Sequence, residues 1–118
     1  MKLKRQIGSS QIEVAGIKFT VRITRTAVEL QAFRKDELES NKIIEQIKNV
    51  YGNDFDIRKR QYNNKIKITI PWTEIIKHKD IKTKILIKLY EMLNQVEDQR
   101  RRKWIMKNIQ KLTQNKIT

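Results

Sequence analysis

Residues 57–72 read IRKRQYNNKIKITIPW. Two runs of alternating character flank Asn63-Asn64, and asparagine tolerates the positive φ of a two-residue hairpin loop. The alternation has period two, which marks strands with one face in a core. With Asn63-Asn64 as the turn, Tyr62 faces Lys65, Arg60 faces Lys67 and Arg58 faces Thr69. Phe55, Ile57, Ile66, Ile68, Ile70 and Trp72 then share the other face, the expected core face. The remaining face sets Arg60 against Lys67, which costs some tenths of a kcal/mol. Something must offset that cost.

The same periodicity extends upstream. Ile12 and Val14 alternate with polar neighbours up to a turn at Ala15-Gly16. Ile17, Phe19, Val21 and Ile23 alternate with Lys18, Thr20, Arg22 and Thr24, and Val28, Leu30 and Ala32 follow a turn near Arg25-Thr26. Residues 11–34 are therefore predicted to form a three-strand meander. Between 36 and 51 the period changes: Ile43, Ile44, Ile47, Val50 and Tyr51 follow helical spacing. Asp36 or Ser40 suits the N-cap, Glu37 and Glu39 the positive end of the dipole, and Gly52 the C′ position.

Downstream, Pro71 ends the hairpin, Thr73 is expected to cap a short helical turn, and Asp80 a longer helix. Ile81, Ile85, Leu86, Leu89, Met92, Leu93 and Val96 form one apolar stripe, which resumes at Trp104, Ile105, Ile109 and Leu112. The chain is either one long bent helix there or two, re-capped at Asp98. The two-helix reading gives helices at about 81–96 and 99–113. The order β-β-β-α-β-β-α-α predicts an α+β fold: about five antiparallel strands, helices on one face, and a basic open face. Residues 1–10 are expected to be a basic flexible arm, and 11–118 a single domain.

The balance of 27 basic against 13 acidic side chains gives a net charge of +14, and such a chain concentrates polyanions. Residues 1–52 hold ten basic and six acidic residues, and residues 53–118 seventeen and seven. Four of the first six acids lie between 36 and 51, so that helix should sit away from a polyanion. The absence of cysteine leaves no disulfide framework or thiolate metal site, and one histidine cannot build a multi-histidine site. No stretch reaches the roughly 18 apolar residues of a membrane span, and the basic N-terminus lacks the apolar core of a secretory signal. A cytoplasmic setting is expected, or a host-intracellular one if the source is viral. Abundant Ile and Lys with little Ala fits an AT-rich or hyperthermophilic source, archaeal or viral.

The open face is the candidate site. From the hairpin it collects Arg58, Arg60, Tyr62, Lys65, Lys67 and Thr69. From the meander it collects Lys18, Thr20, Arg22, Thr24, Gln31 and Phe33. Lys and Arg neutralise phosphates and release counterions. Thr and Gln donate to phosphates or base edges. Tyr62 and Phe33 can stack on unpaired bases or act as wedges. Arg100, Arg101, Arg102 and Lys103 form a second basic element, either phosphate clamps or a solvated helix turn whose stems cover apolar surface.

Catalytic constellations are sparse. Asp54 and Asp56 fall on one side of an extended stretch, where a metal-dependent nuclease needs clustered acids. Acids so placed more commonly neutralise a local arginine or cap a turn. His78 has no obvious orienting acid apart from Asp80, and there is no Gly-rich phosphate loop.

Residues 17 onward resemble one half of a LAGLIDADG homing endonuclease in element order. The carriers are GIKFTVRITRTAVELQAFR, the helix ending IIEQIKNVYG, the basic hairpin, and the segment after HKDIKTK. The resemblance implies a saddle of antiparallel strands lying on duplex DNA, with helices on its back. The family's N-terminal helix, which bears the catalytic acid, has no counterpart in MKLKRQIGSSQ, a stretch without an acid. The expected function is non-catalytic binding of DNA, single- or double-stranded, or RNA through the sheet, DNA before RNA, with no cofactor and no metal. Two alternatives are a degenerate or partner-dependent nuclease using Asp54 and Asp56, and a nucleoprotein or virion component that homodimerises through helices 81–112.

Overall fold

The switches of period along the chain become elements in the same order. A computed structural model describes residues 10–114; all but the last residue of the expected N-terminal arm lies outside the described residues. The elements are β1 (Gln11–Val14), β2 (Ile17–Ile23), β3 (Val28–Arg34), α1 (Glu37–Tyr51), β4 (Arg58–Tyr62), β5 (Lys65–Ile70), α2 (Trp72–Ile75), α3 (Lys79–Gln95) and α4 (Gln99–Gln114). The strands form one antiparallel sheet in the order β1-β2-β3-β5-β4.

Turn chemistry explains the two tight hairpins. Ala15 and Gly16 adopt φ values of 53° and 84°, the paired positive φ of a hairpin turn that follows the strands' twist. At the second hairpin Asn63 takes φ 56°. Between β2 and β3, the Thr24 hydroxyl accepts from the Ala27 amide at 3.0 Å and donates to the Ala27 carbonyl at 3.0 Å.

One face of the sheet is core. Val14, Phe19, Leu30, Ile68 and Ile70 are buried there under Ile47 of α1, Ile75 of α2, Ile85 and Leu89 of α3, and Ile105 and Leu112 of α4. This face supplies the bulk of the hydrophobic stabilisation. Leu89, Met92, Ile105, Ile109 and Leu112 belong to the same core. These members of the C-terminal apolar stripe pack within the chain, while Leu86, Leu93, Val96 and Trp104 are only partly buried against that core. No helix among the described residues is long and apolar enough to cross a membrane.

Several boundaries differ from expectation. The fourth strand starts at Arg58, not near Phe55. Phe55 is buried in the connection, its ring 4.9 Å from Tyr51 and 5.0 Å from His78, so it anchors the loop. Trp72 opens α2 instead of ending β5, and Pro71 occupies its N-cap without a side-chain bond, so Thr73 is no cap. Asp80 lies inside α3, whose N-cap is His78; its carboxylate accepts from the Tyr51 hydroxyl at 2.5 Å. Asp36 caps α1 by accepting from the Glu39 amide at 3.0 Å, with Gly52 beyond its end. Asp98 restarts the helix for α4, its carboxylate accepting from the Arg100 amide at 3.1 Å.

Candidate nucleic-acid interface

The face of the sheet away from the helices follows from register. One row runs across all five strands: Gln11 opposite Thr20, Thr20 opposite Gln31, Gln31 opposite Thr69, and Thr69 opposite Arg58. The neighbouring row sets Phe33 opposite Lys67 and Lys67 opposite Arg60, and Tyr62 faces Lys65 beyond it. Arg58, Arg60, Tyr62, Lys65, Lys67 and Thr69 therefore share one face, as the hairpin register predicts, together with Phe33 of β3 and Lys18, Thr20 and Arg22 of β2.

The face is not uniformly basic. The alternation that selects Lys18 and Arg22 also places Glu13 opposite Lys18 and Glu29 opposite Arg22. Gln31 is buried and donates to Glu29 at 3.2 Å, so its amide is already engaged. The β1–β3 half is mixed in sign, and the positive excess concentrates on β4 and β5.

There the rings and cations interleave. The Phe33 and Tyr62 rings flank β5 with centroids 5.7 Å apart and are 39% and 49% exposed. Lys65 Nζ lies 5.8 Å from the Phe33 centroid, and Lys67 Nζ lies 5.3 Å from the Tyr62 centroid. Each lysine thus lies over the ring diagonal to it and not the ring directly opposite. At exposed sites such contacts contribute about 0.5–1 kcal/mol. That magnitude covers the like-charge cost of Arg60 beside Lys67. Arg60, Lys65 and Lys67 have no ion-pair partner among the described residues.

β4 is an edge strand exposed along its length. Its inward positions are Lys59 and Gln61, not apolar residues. Lys59 reaches α1, donating to Glu37 at 2.6 Å and Asn41 at 2.9 Å. The acidic start of α1 is thereby turned toward the helical side and away from the cations of the open face. A charged edge strand also resists pairing with other chains.

Other candidate residues are placed elsewhere. Arg58 is bidentate to Asp56, with Nη2 to Oδ2 at 2.9 Å and Nε to Oδ1 at 3.2 Å. This hydrogen-bonded guanidinium holds the Asp56 carboxyl below the usual aspartate range. Asp56 is thus an arginine partner, and no group of three or more His, Cys, Asp or Glu side chains suited to a metal ion occurs among the described residues. His78 Nε2 lies 2.7 Å from Oε2 of the buried Glu74, and its ring packs edge-on against Tyr51. Arg100, Arg101, Arg102 and Lys103 lie on α4, in the helical layer. Arg102 turns inward and donates to the Leu93 and Val96 carbonyls at 2.5 and 3.0 Å. It closes the C-terminal end of α3, where carbonyls lack helical partners, while Arg100, Arg101 and Lys103 stay exposed.

Sequence reading missed the anionic partners Glu13 and Glu29, the Arg102 cap, and Glu74, which partners His78 where only Asp80 was expected to. Strict alternation was signal enough for the two glutamates. No local signal marks Arg102, because its acceptors depend on how α4 folds back on α3. No known protein family, curated protein or solved structure matches the chain.

Proposed function

We propose that the protein binds nucleic acid, without catalysis, through the open face of its sheet at β3, β5 and β4. The observation that carries this reading is the interleaving of two exposed rings, Phe33 and Tyr62, with Lys65, Lys67 and Arg60. Cations without an ion-pair partner among the described residues neutralise phosphates, and exposed rings beside them take unpaired bases. In the free protein each lysine rests on a ring. When a base takes the ring face, the lysine is released toward the phosphate, so neither group is left unpartnered. Lys18 and Arg22 extend the track across β2 at lower net charge, and Arg58 contributes less because Asp56 holds it. Single strands fit this arrangement better than a duplex, whose bases are already stacked.

The test is fluorescence anisotropy with labelled single-stranded DNA, duplex DNA and RNA across a salt series. Binding should weaken steeply with salt, and Arg60→Ala with Lys67→Ala should reduce the log–log slope by about 1.4 on single strands and about 1.8 on duplex DNA. Phe33→Ala or Tyr62→Ala should cost about 1–3 kcal/mol on single strands. An absence of binding at low salt, or a slope unmoved by the double variant, overturns the reading.

A further inference from the structure

On the helical layer a groove of about 590 Å³ opens between α3 and α4, a volume within the range of ligand sites. Its apolar lining is Tyr90, Leu93, Trp104, Met106 and Ile109. Tyr90 and Met106 are 52% and 55% exposed, and Ile87, one turn before Tyr90, is 56% exposed. The groove also carries Arg25, Lys103 and Lys107, and no acidic side chain lines it. None of these three cations has an ion-pair partner among the described residues.

We infer that this groove docks an acidic amphipathic helix of another protein. Two parallel ridges of side chains with an apolar floor accept a third helix, read by apolar residues at i, i+3, i+4 and i+7. The cations at the groove select acidic flanks on that helix. Occupants from this chain lack the charge. A second copy brings a net +14, residues 1–9 carry three cations and no acid, and residues 115–118 carry one cation and no acid. The Leu93, Met106 and Ile109 surfaces offer nothing to phosphate, so nucleic acid is the weaker fit. The site is independent of the sheet face and does not rest on the proposed function.

A phage library of helical peptides of about 16 residues, roughly four turns, tests the assignment. It is selected on the intact protein and counter-selected on Tyr90→Ser with Met106→Ser, which keeps the net charge. Both replaced side chains are more than half exposed, so the variant's unfolding midpoint should stay within a few degrees. Enriched peptides should carry the helical apolar period and net negative charge. They should bind Tyr90→Ser with Met106→Ser, and separately Lys103→Glu with Lys107→Glu, at least about ten-fold more weakly. The inference fails if nothing is enriched over the counter-selection, if enriched peptides lack the period or the acids, or if either variant binds them undiminished. It also fails if sedimentation shows a dimer lost in Tyr90→Ser with Met106→Ser, which makes a second copy the occupant. Displacement of the peptides by an oligonucleotide that requires Lys103 and Lys107 would make nucleic acid the occupant and sink it equally.

Discussion

Lys67 stands directly opposite Arg60 in the ladder, yet its ammonium lies over the Tyr62 ring, 5.3 Å from the centroid. The like-charge pair is held in a sheet because one member has an aromatic partner on the diagonal. Arg60 has no comparable contact among the described residues.

The two cations should therefore respond differently to removal. Arg60→Gln relieves repulsion and should stabilise the protein by some tenths of a kcal/mol. Lys67→Gln relieves the same repulsion but loses a contribution of about 0.5–1 kcal/mol, so it should be neutral or slightly destabilising. Urea midpoints at low salt measure both. Equal stabilisation by the two substitutions would show that the ring contact carries no energy.

The basic run on α4 should divide in the same way. Arg102→Ala leaves the Leu93 and Val96 carbonyls without their donor and should cost about 1–2 kcal/mol. Arg101→Ala is an exposed change and should stay within about 0.5 kcal/mol. Thermal unfolding of the two variants side by side decides the matter, since both lose one positive charge.

Burial, with the nearby Asp80 carboxylate, pushes the Tyr51 phenol above its ordinary value of 10.0. A tyrosine whose folded-state pKa is raised keeps its proton where the unfolded chain gives it up. Stability should thus be full below pH 10 and decline as pH rises beyond it. Tyr51→Phe should cost about 1 kcal/mol at neutral pH through the lost hydrogen bond, and should flatten the alkaline decline. Denaturant titrations between neutral and alkaline pH would reveal an unchanged slope if this assignment were wrong.

The Arg58 guanidinium depresses Asp56, so the sign is reversed there. The pair's contribution is present above the unfolded aspartate value and is lost as pH falls through the lower folded value. Its size is small, because both side chains are exposed. Carboxyl NMR titration should place Asp56 below an ordinary aspartate, and Arg58→Gln should return it toward that value. On the proposed function, Asp56→Asn releases Arg58 and removes an anion, so oligonucleotide affinity at low salt should rise by a factor of a few. Weaker binding by Asp56→Asn would contradict the role given to this end of the face.

Much of the architecture is written locally. Period-two runs in 11–34 and 57–70, the helical spacing of Ile43, Ile44 and Ile47, and the caps at Asp36 and Asp98 each act within a few residues. They determine five strands, their hairpin registers and the helices between them. The same alternation put Arg58, Arg60, Tyr62, Lys65 and Lys67 on one face, because a side chain's side of a strand is set by parity alone.

Parity could not say which strand lies beside β3. The sheet order β1-β2-β3-β5-β4 puts β5 there, and only that order brings Phe33 within 5.7 Å of Tyr62 and under Lys65. The fate of the arginine run on α4 was equally non-local. Arg102 became a cap because α4 folds back on α3, and Tyr90 and Met106 were left exposed by the same packing. Sequence by itself determined which residues share a strand face or a helix stripe. Tertiary structure alone decided which faces meet, since contacts between elements depend on how the chain closes over its core.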